Sequence, residues 1–216
     1  MSTQQTGFAS RFALLSLARM TRSKRAAVAA IVLLAATAAL LYLMGRPPIC
    51  TCGAIDLWVG EPNSSRTSQM LSDWYSPSHI VHGFLFFAGL WLVGRRWPLE
   101  RRFLVALAIE AAWEIVENTP LIINRYREET AALGYTGDSV LNSMSDIAMM
   151  GLGFLLARRL PVWASVVVVL ILELVPLLVI RDNLTLNVWM LLAPNDALKA
   201  WQSGGSASAL ISHFMH

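Results

Sequence analysis

The feature that most constrains this chain is a series of apolar runs, each bounded by a cluster of basic residues. The first run, 26–44, contains no charged residue and follows Arg22, Lys24 and Arg25. At about 1.5 Å per residue, an α-helix of this length crosses most of the roughly 30 Å of hydrocarbon in a bilayer. The run therefore predicts a membrane-spanning helix, and the pattern as a whole predicts an integral membrane protein.

Composition points the same way. Hydrophobic residues make up 56% of the chain and charged residues 14%, whereas about 25% of a typical soluble domain is charged. The net charge of +3 resides in short clusters beside apolar runs, a pattern typical of membrane topology signals and not of a nucleic-acid surface. We therefore expect membrane lipids as partners and no nucleic acid.

Four further apolar runs follow, and the shorter ones carry polar residues. The five predicted spans are 26–44, 80–93, 103–116, 140–156 and 162–180. We interpret the first as an uncleaved anchor, because its apolar core exceeds the roughly 7–15 residues of a signal peptide and no small-x-small cleavage site precedes the segment 45–48. The sequence thus predicts an all-α fold, a polytopic bundle of about five transmembrane helices.

The distribution of charge predicts the orientation. With the N-terminus in the cytoplasm, the cytoplasmic segments hold 11 of the 17 basic residues and only one acidic residue, Glu100. An excess of Lys and Arg in short cytoplasmic loops is the rule for inner-membrane proteins, and the inverted orientation would reverse both counts. We therefore expect a multi-pass protein of a bacterial inner membrane, with a cytoplasmic segment 1–25, a bundle 26–182 with periplasmic loops, and a periplasmic or interfacial tail 183–216.

Two cysteines, Cys50 and Cys52, follow the first span on its periplasmic side, which is an oxidising compartment. A bond between residues only two apart is geometrically demanding. The sequence leaves open a structural or intermolecular pairing, a metal contact and no role at all, and it favours the last. In the fifth span, Glu173 close to Pro176 indicates a buried acid beside a kink.

Polar residues recur along one face of each of the three middle spans. His79 and His82 are three residues apart, so both imidazoles lie on one helix face. The third span carries carboxylates at i, i+4 and i+7, and the fourth opens with polar residues at i, i+4 and i+8. The residues of these two stripes are Glu110, Glu114, Glu117, Asp138, Asn142 and Asp146.

The depth of these carboxylates makes them costly. A carboxylate near the bilayer centre costs about 2.5–3.5 kcal/mol on the insertion scale, so the third span inserts only if its acids face protein, carry protons or meet partners. The histidines and the asparagine on neighbouring helices are the expected partners. An interhelical hydrogen bond stabilises a membrane protein by only about 0.6 kcal/mol on average. Stability alone therefore hardly accounts for three acids in the third span. The sequence therefore favours a functional site in the outer half of the bilayer over a packing network.

Two chemistries remain open for this site. Imidazole and carboxylate groups suit a divalent metal, although the Glu-x-x-His pairs of di-iron bundles are absent, and two buried acids with separated pKa values suit acid–base catalysis. The candidate catalytic residues are His82, Glu114, Asp138 and Asp146. The candidate binding residues are His79, Glu110, Glu117, Asn118, Arg125, Arg127 and Asn142, and the candidate metal ligands are His79, His82 and Glu114.

Two arginines, Arg125 and Arg127, lie in the predicted loop between the third and fourth spans. A guanidinium pairs with phosphate through two parallel hydrogen bonds, so these residues are candidates for holding a lipid headgroup. Pairing with the adjacent Glu128 and Glu129 at the surface is the favoured alternative.

Three motifs carry a family resemblance. The segments 78–83, 110–120 and 134–146 resemble an uncharacterised family of inner-membrane proteins of Gram-negative bacteria, and the resemblance covers most of residues 45–190. It implies a membrane topology and an inner-membrane location, but no reaction.

Two more distant resemblances concern the same residues. The order of polar groups is similar to that of the VanZ-like membrane proteins, which are linked to glycopeptide resistance. The matching positions are His82, Glu110 or Glu114, Asp138, Asn142 and Gly151, with Ser145 where a glycine is expected. An Asn with an Asp four residues on resembles one half of the motif of the aspartyl lipoprotein signal peptidases, and the second half has no match.

Two functions from different classes follow. The first is a protein that binds, or acts on, a lipid or an envelope precursor from the periplasmic side. The second is a structural or accessory membrane protein in which the polar cluster only packs helices. A transporter is less favoured, because five spans without an internal repeat lack the symmetry common in transporters.

Overall fold

The computed structural model describes residues 21–130 and 134–204, so parts of the predicted segment 1–25 and of the tail 183–216 lie outside the described residues. Within the described part the chain forms eight helices and no strands, with one isolated bridge between Val59 and Asp73. The helices are α1 (Arg22–Leu43), α2 (Ser76–Val93), α3 (Leu99–Glu117), α4 (Pro120–Glu129), α5 (Val140–Arg159), α6 (Val162–Ile180), α7 (Leu184–Leu192) and α8 (Asp196–Ser203). The predicted all-α fold is confirmed.

Four of these helices, α1, α2, α5 and α6, are long and apolar enough to cross a membrane. They indicate a membrane protein, and their number agrees roughly with the five predicted spans. Helix α3 has 19 residues but too many charged ones to qualify by composition. Its carboxylates Glu110 and Glu114 are 0% exposed, so they face protein, as insertion of this helix requires. Its crossing of the membrane stays a prediction.

Helix α6 presents an apolar surface to the outside of the bundle. Side chains along its whole length are exposed, among them Val162, Leu170 and Leu178, and within the helix only Pro176 is buried. A surface so apolar is unfavourable in water and favourable against lipid tails. Helix α6 therefore lies at the lipid-facing edge of the bundle.

Helices α2 and α5 form the most extensive contact of the bundle, and two glycines make it possible. A Cβ atom at Gly83 would collide with the Met150 carbonyl oxygen and the Phe154 amide, and one at Gly153 would collide with the Ile80 carbonyl oxygen. Small residues at such a contact let helix backbones approach closely. The contact fixes the start of α2 beside the start of α5, where the polar residues are.

The segment between α1 and α2 caps the start of α5. The Val140 and Leu141 amides donate to the carbonyl oxygens of Pro47 and Pro48 at 2.8 and 3.1 Å, and the Ser139 amide donates to the Ser68 carbonyl oxygen at 3.0 Å. These bonds satisfy amides that a helix start leaves without partners.

The same segment contains both cysteines. Cys50 and Cys52 form a disulfide, which is the structural pairing among the alternatives that the sequence left open. Cys50 is buried and packs in a small apolar cluster with Val59 and Met70.

The C-terminal tail folds back against α6. Arg181 ends α6 in the left-handed conformation (φ 58°), and the Glu173 carboxylate accepts hydrogen bonds from the amides of Leu184 and Thr185 at 3.2 and 3.1 Å. Helix α7 therefore begins about two turns inside the end of α6, and the periplasmic or interfacial location of the tail stays a prediction. Glu173, predicted as a buried acid, is half-buried. It shares the capping of α7 with Asn183, whose side chain accepts from the Leu186 amide at 2.8 Å.

Candidate functional site

A cavity of about 250 Å³ lies among α2, α3, α4, α5 and α7. Its lining contains two kinds of side chain. The polar part, meaning the polar side chains taken together, includes carboxylates, imidazoles, phenols and an amide: Asp73, Tyr75, His79, His82, Glu110, Glu117, Tyr126, Tyr135, Asp138, Asn142 and Asp146. The apolar part contains Phe86, Ile109, Trp113, Leu184 and Val188.

The centre of the polar part is a pair of histidines on one carboxylate. His79 Nδ1 lies 2.7 Å from Glu110 Oε1, and His82 Nδ1 lies 3.1 Å from each oxygen of the same carboxylate. A carboxylate accepts hydrogen bonds, so each imidazole carries a proton on Nδ1 and, when neutral, keeps a lone pair on Nε2. One turn of α2 places both rings on one face, as the spacing predicted.

Both histidines have the same carboxylate as their partner. The sequence argument named the histidines as partners of the third-span acids without deciding which acid each ring meets, and the structure pairs both with Glu110, one turn deeper than Glu114. Both carboxylate oxygens of Glu114 are buried and have no hydrogen-bond partner among the described residues. The nearest imidazole atom is His79 Nδ1, 3.5 Å from Glu114 Oε1. The expectation that each buried acid has a histidine, an asparagine, an arginine or a water within hydrogen-bond reach stays a prediction for Glu114.

Asp146 brings α5 into the cluster. Its Oδ2 atom lies 3.8 Å from His79 Nε2, and its Oδ1 atom accepts a hydrogen bond from the Ser76 hydroxyl at 3.3 Å. Glu114, His79 and Asp146 thus come from three different helices and meet at one depth.

Asn118 and Asp138 join the end of α3 to the start of α5. The Asn118 side-chain amide donates to Asp138 Oδ2 at 2.8 Å, and the Asp138 backbone amide donates to Asn118 Oδ1 at 2.7 Å. The Tyr135 hydroxyl donates to Asp138 Oδ1 at 3.0 Å. Burial raises the pKa of Asp138 to about 6, although the hydrogen bonds from Asn118 and Tyr135 oppose the shift. The contact of Asn118 with Asp138 therefore holds α3 to the start of α5, and the binding role of Asn118 and the catalytic role of Asp138 stay predictions.

Asn142 has a comparable bridging position. Its side-chain amide donates to the Met70 carbonyl oxygen at 2.9 Å, which ties α5 to the segment before α2. Glu117 lines the cavity, one turn beyond Glu114.

The two predicted arginines do not line the cavity. Arg125 Nε donates to the Leu191 carbonyl oxygen at 2.6 Å, and Arg127 Nε donates to the Tyr135 carbonyl oxygen. Arg125 thereby joins α4 to α7. The contact of these residues with a phosphate group stays a prediction.

Sequence reasoning missed Asp73 and the tyrosines of the cavity. The Asp73 carboxylate accepts hydrogen bonds from the Ser68 and Tyr75 amides at 2.7 and 2.8 Å, and burial raises its pKa despite these bonds. The sequence signal that could have indicated Asp73 is its position three residues before Ser76-Pro77, because an Asp shortly before a proline often marks the start of a helix. The Tyr126 hydroxyl, which donates to Asn187 Oδ1 at 2.8 Å, had no such signal.

Three groups of side chains in the described part of the chain have the spacing of a metal site. They are His79, His82 and Glu110; His79, Glu114 and Asp146; and Glu114, Glu117 and Asp138, and in each group one possible ligand atom per residue lies within 4.8 Å of the others. Glu114 is common to the last two.

Comparison with known proteins gives a family without an assigned activity. A family model described as "Protein of unknown function (DUF2585)" matches residues 41–204. A UPF0314 protein of Rhizobium etli is 55% identical over 82% of this chain and 91% of its own length. UPF0314 proteins of Sinorhizobium fredii and Paracoccus denitrificans are 58% and 55% identical over 76% of this chain, and 83% and 84% of their own lengths. No solved structure matches.

Proposed function

The chain belongs to the DUF2585 family of proteins of unknown function, and we propose that it is a multi-pass inner-membrane protein whose cavity binds the headgroup of a membrane lipid or a lipid-like envelope precursor. The observation that carries the proposal is the mixed lining of the cavity, which combines ionisable groups with apolar side chains. An amphipathic ligand offers groups of both kinds. The resemblance to VanZ-like proteins stays a prediction.

The apolar part of the lining supports entry from the lipid. Ile109 on α3 and Val188 on α7 line the cavity and are 44% and 42% exposed. Apolar side chains exposed in this way favour contact with acyl chains over water. A lipid therefore reaches the cavity sideways between α3 and α7, with its tail remaining in the bilayer.

The polar part of the lining constrains the headgroup. Its ionisable groups include the carboxylates of Glu110, Glu117, Asp138 and Asp146, against the two imidazoles. A bare phosphate would be repelled by this surplus of carboxylates. The lining fits a headgroup that donates hydrogen bonds through hydroxyl or amino groups, or a phosphate that arrives with a divalent cation.

The orientation follows from the charge distribution and the disulfide. Basic residues cluster at Arg95, Arg96, Arg158 and Arg159, at the opposite ends of α2 and α5 from the cavity, which supports a cytoplasmic location of those ends. The Cys50–Cys52 disulfide supports an oxidising compartment at the cavity end. The proposed cavity lies in the periplasmic half, with the N-terminus in the cytoplasm.

Native mass spectrometry of the protein released from its own membrane tests the proposal. The wild-type protein is expected to retain one lipid per chain. Val188→Trp, which adds a bulky side chain to the apolar part of the lining, is expected to lose this lipid. Val179→Trp is the matched control, because Val179 is 57% exposed on α6 and is not part of the cavity lining.

The opposite result supports the accessory alternative. If the three proteins retain lipid equally, or if the wild-type protein retains none, the cavity does not hold a lipid. The polar cluster would then serve to pack helices, as the second sequence hypothesis states.

A further inference from the structure

We propose that His79, Glu114 and Asp146 bind a divalent transition-metal ion, and that Glu110 orients His79 for this purpose. The inference does not require the proposed lipid ligand, because these three residues form a group of their own. His79 and Asp146 line the cavity, whereas Glu114 is not part of its lining. It rests on four observations: the Glu114 carboxylate has no hydrogen-bond partner among the described residues, the three ligand atoms lie close together, Glu110 holds the other ring nitrogen of His79, and buried carboxylates outnumber the imidazoles.

The first observation is the unpartnered carboxylate of Glu114. The residue is 0% exposed, and neither of its side-chain oxygens has a hydrogen-bond partner among the described residues. A buried polar group without a partner costs about 1–3 kcal/mol, and more when it is charged. Metal coordination is one of the few ways in which a buried carboxylate is compensated.

The second observation is the spacing of the three groups. One ring nitrogen of His79 and one carboxylate oxygen each from Glu114 and Asp146 lie within 4.8 Å of one another. Ligand atoms about 2.0–2.2 Å from a common metal ion are at most roughly 4.4 Å apart. A small rotation of one side chain therefore brings all three onto a shared ion.

The third observation is the second contact of His79. Its Nδ1 atom binds Glu110 at 2.7 Å, which leaves the Nε2 lone pair 3.8 Å from Asp146 Oδ2. Histidine ligands usually donate their other ring N–H to a carboxylate, which fixes the tautomer and the ring orientation. Glu110 is the carboxylate that accepts from His79 Nδ1, and it also accepts from His82 Nδ1.

The fourth observation is the imbalance of charge. The three overlapping groups contain two imidazoles and five carboxylates, those of Glu110, Glu114, Glu117, Asp138 and Asp146. Like charges at such distances repel strongly in a medium of low dielectric constant. A divalent cation lowers this repulsion. A donor set of one imidazole and two carboxylates suits zinc, iron or manganese better than calcium or magnesium, which prefer oxygen alone.

Metal binding by the purified full-length protein tests the inference. The protein in detergent is treated with a chelator, dialysed, and then exposed separately to Zn²⁺, Mn²⁺ or Fe²⁺ before elemental analysis. The wild-type protein is expected to bind one equivalent of at least one of these ions and to unfold at a higher temperature with it. Glu114→Gln and Asp146→Asn should lose both effects, and Glu110→Gln should weaken binding by roughly 10–100-fold.

Two controls keep the inference falsifiable. Glu100→Gln changes a carboxylate at the other end of α3 from Glu114 and should bind metal like the wild-type protein. Val188→Trp, the variant designed to lose the lipid, should also bind metal like the wild-type protein, which separates metal binding from lipid binding. Wild-type protein that binds no more metal than Glu114→Gln overturns the inference. Loss of metal in Glu117→Gln with full binding in Asp146→Asn overturns the assignment of the ligands.

Discussion

His79 Nδ1 lies 2.7 Å from Glu110 Oε1, and this contact joins α2 to α3 at a point where both side chains are buried. Glu110 also accepts from His82, so one carboxylate on α3 orients both imidazoles of α2. The relationship supplies hydrogen-bond donors to Glu110, the deepest of the three acids of α3. It also fixes the direction in which each ring presents its second nitrogen.

Replacement of this shared carboxylate is expected to destabilise the bundle. Glu110→Gln leaves one acceptor oxygen and turns a donor amide toward an imidazole N–H, so at least one hydrogen bond to a charged group is lost. We expect a decrease of about 1.5–3 kcal/mol in the free energy of unfolding, measured by denaturant titration in detergent. Glu100→Gln is the control and should change stability little; equal effects of the two variants would contradict the role of Glu110.

The glycine contact between α2 and α5 predicts a strong effect of the smallest substitution. In Gly83→Ala or Gly153→Ala the new methyl group collides with backbone atoms of the partner helix, and overpacking of this kind costs typically about 1–3 kcal/mol. Gly89→Ala is a control on α2, because a Cβ there meets nothing within 4 Å. Thermal unfolding of the three variants is the measurement, and a Gly83→Ala protein as stable as Gly89→Ala would refute the contact.

Reporter fusions test the orientation. Fusions after Met20, Arg96 and Arg158 should report a cytoplasmic location, and fusions after Ser65, Thr130 and Gly205 a periplasmic one. The expectation follows from the excess of basic residues on one side. A periplasmic signal at Arg96 would be incompatible with five spans and a cytoplasmic N-terminus.

The acids of α3 predict how this helix enters the membrane. In an insertion assay α3 without α2 should insert poorly, because its acids then face lipid. The double change Glu110→Leu and Glu114→Leu should restore insertion, since removing two mid-bilayer acids recovers on the order of 5–7 kcal/mol. Efficient insertion of the unchanged segment would place these acids outside the hydrocarbon.

Asp182 predicts a pH dependence of stability. Burial raises the pKa of Asp182 from 3.8 to about 6 in the folded protein, so the protonated form favours folding. Its contribution to stability is present below pH about 3.8 and is lost as the pH rises through about 6. Between pH 5 and pH 7 the free energy of unfolding of the wild-type protein should therefore fall, by at most about 1.4 kcal/mol per pH unit for this group.

Asp182→Asn is the matched variant for this measurement. It keeps an oxygen that accepts from the Asn183 amide and from Gln202 but does not titrate. The wild-type protein should lose more stability than this variant between the two pH values. Parallel pH profiles would mean that Asp182 titrates normally in the folded protein.

The sequence predicts helices and faces well but relative helix positions poorly. The 3.6-residue period places His79 and His82 on one face of α2 and Glu110 and Glu114 on one face of α3. Which acid meets which ring depends on the height of α2 against α3, which tertiary packing determines. The period therefore identified residues that face one another across the helices, but it could not show that Glu110 is the acid that both rings contact.

The contacts of Glu173 were inaccessible to sequence reasoning for another reason. Its partners include the backbone amides of Leu184 and Thr185, and a backbone amide has no sequence signature. The fold-back of α7 and its place in the cavity wall could therefore not be predicted from the sequence.

The two helix pairs that border the cavity are held together in different ways. Helices α2 and α5 approach so closely at Gly83 and Gly153 that not even a Cβ atom fits between them. Helices α4 and α7 are joined by the hydrogen bonds of Tyr126 with Asn187 and of Arg125 with Leu191. We therefore expect a ligand larger than about 250 Å³ to gain room by displacing α7, while the histidines on α2 keep their positions.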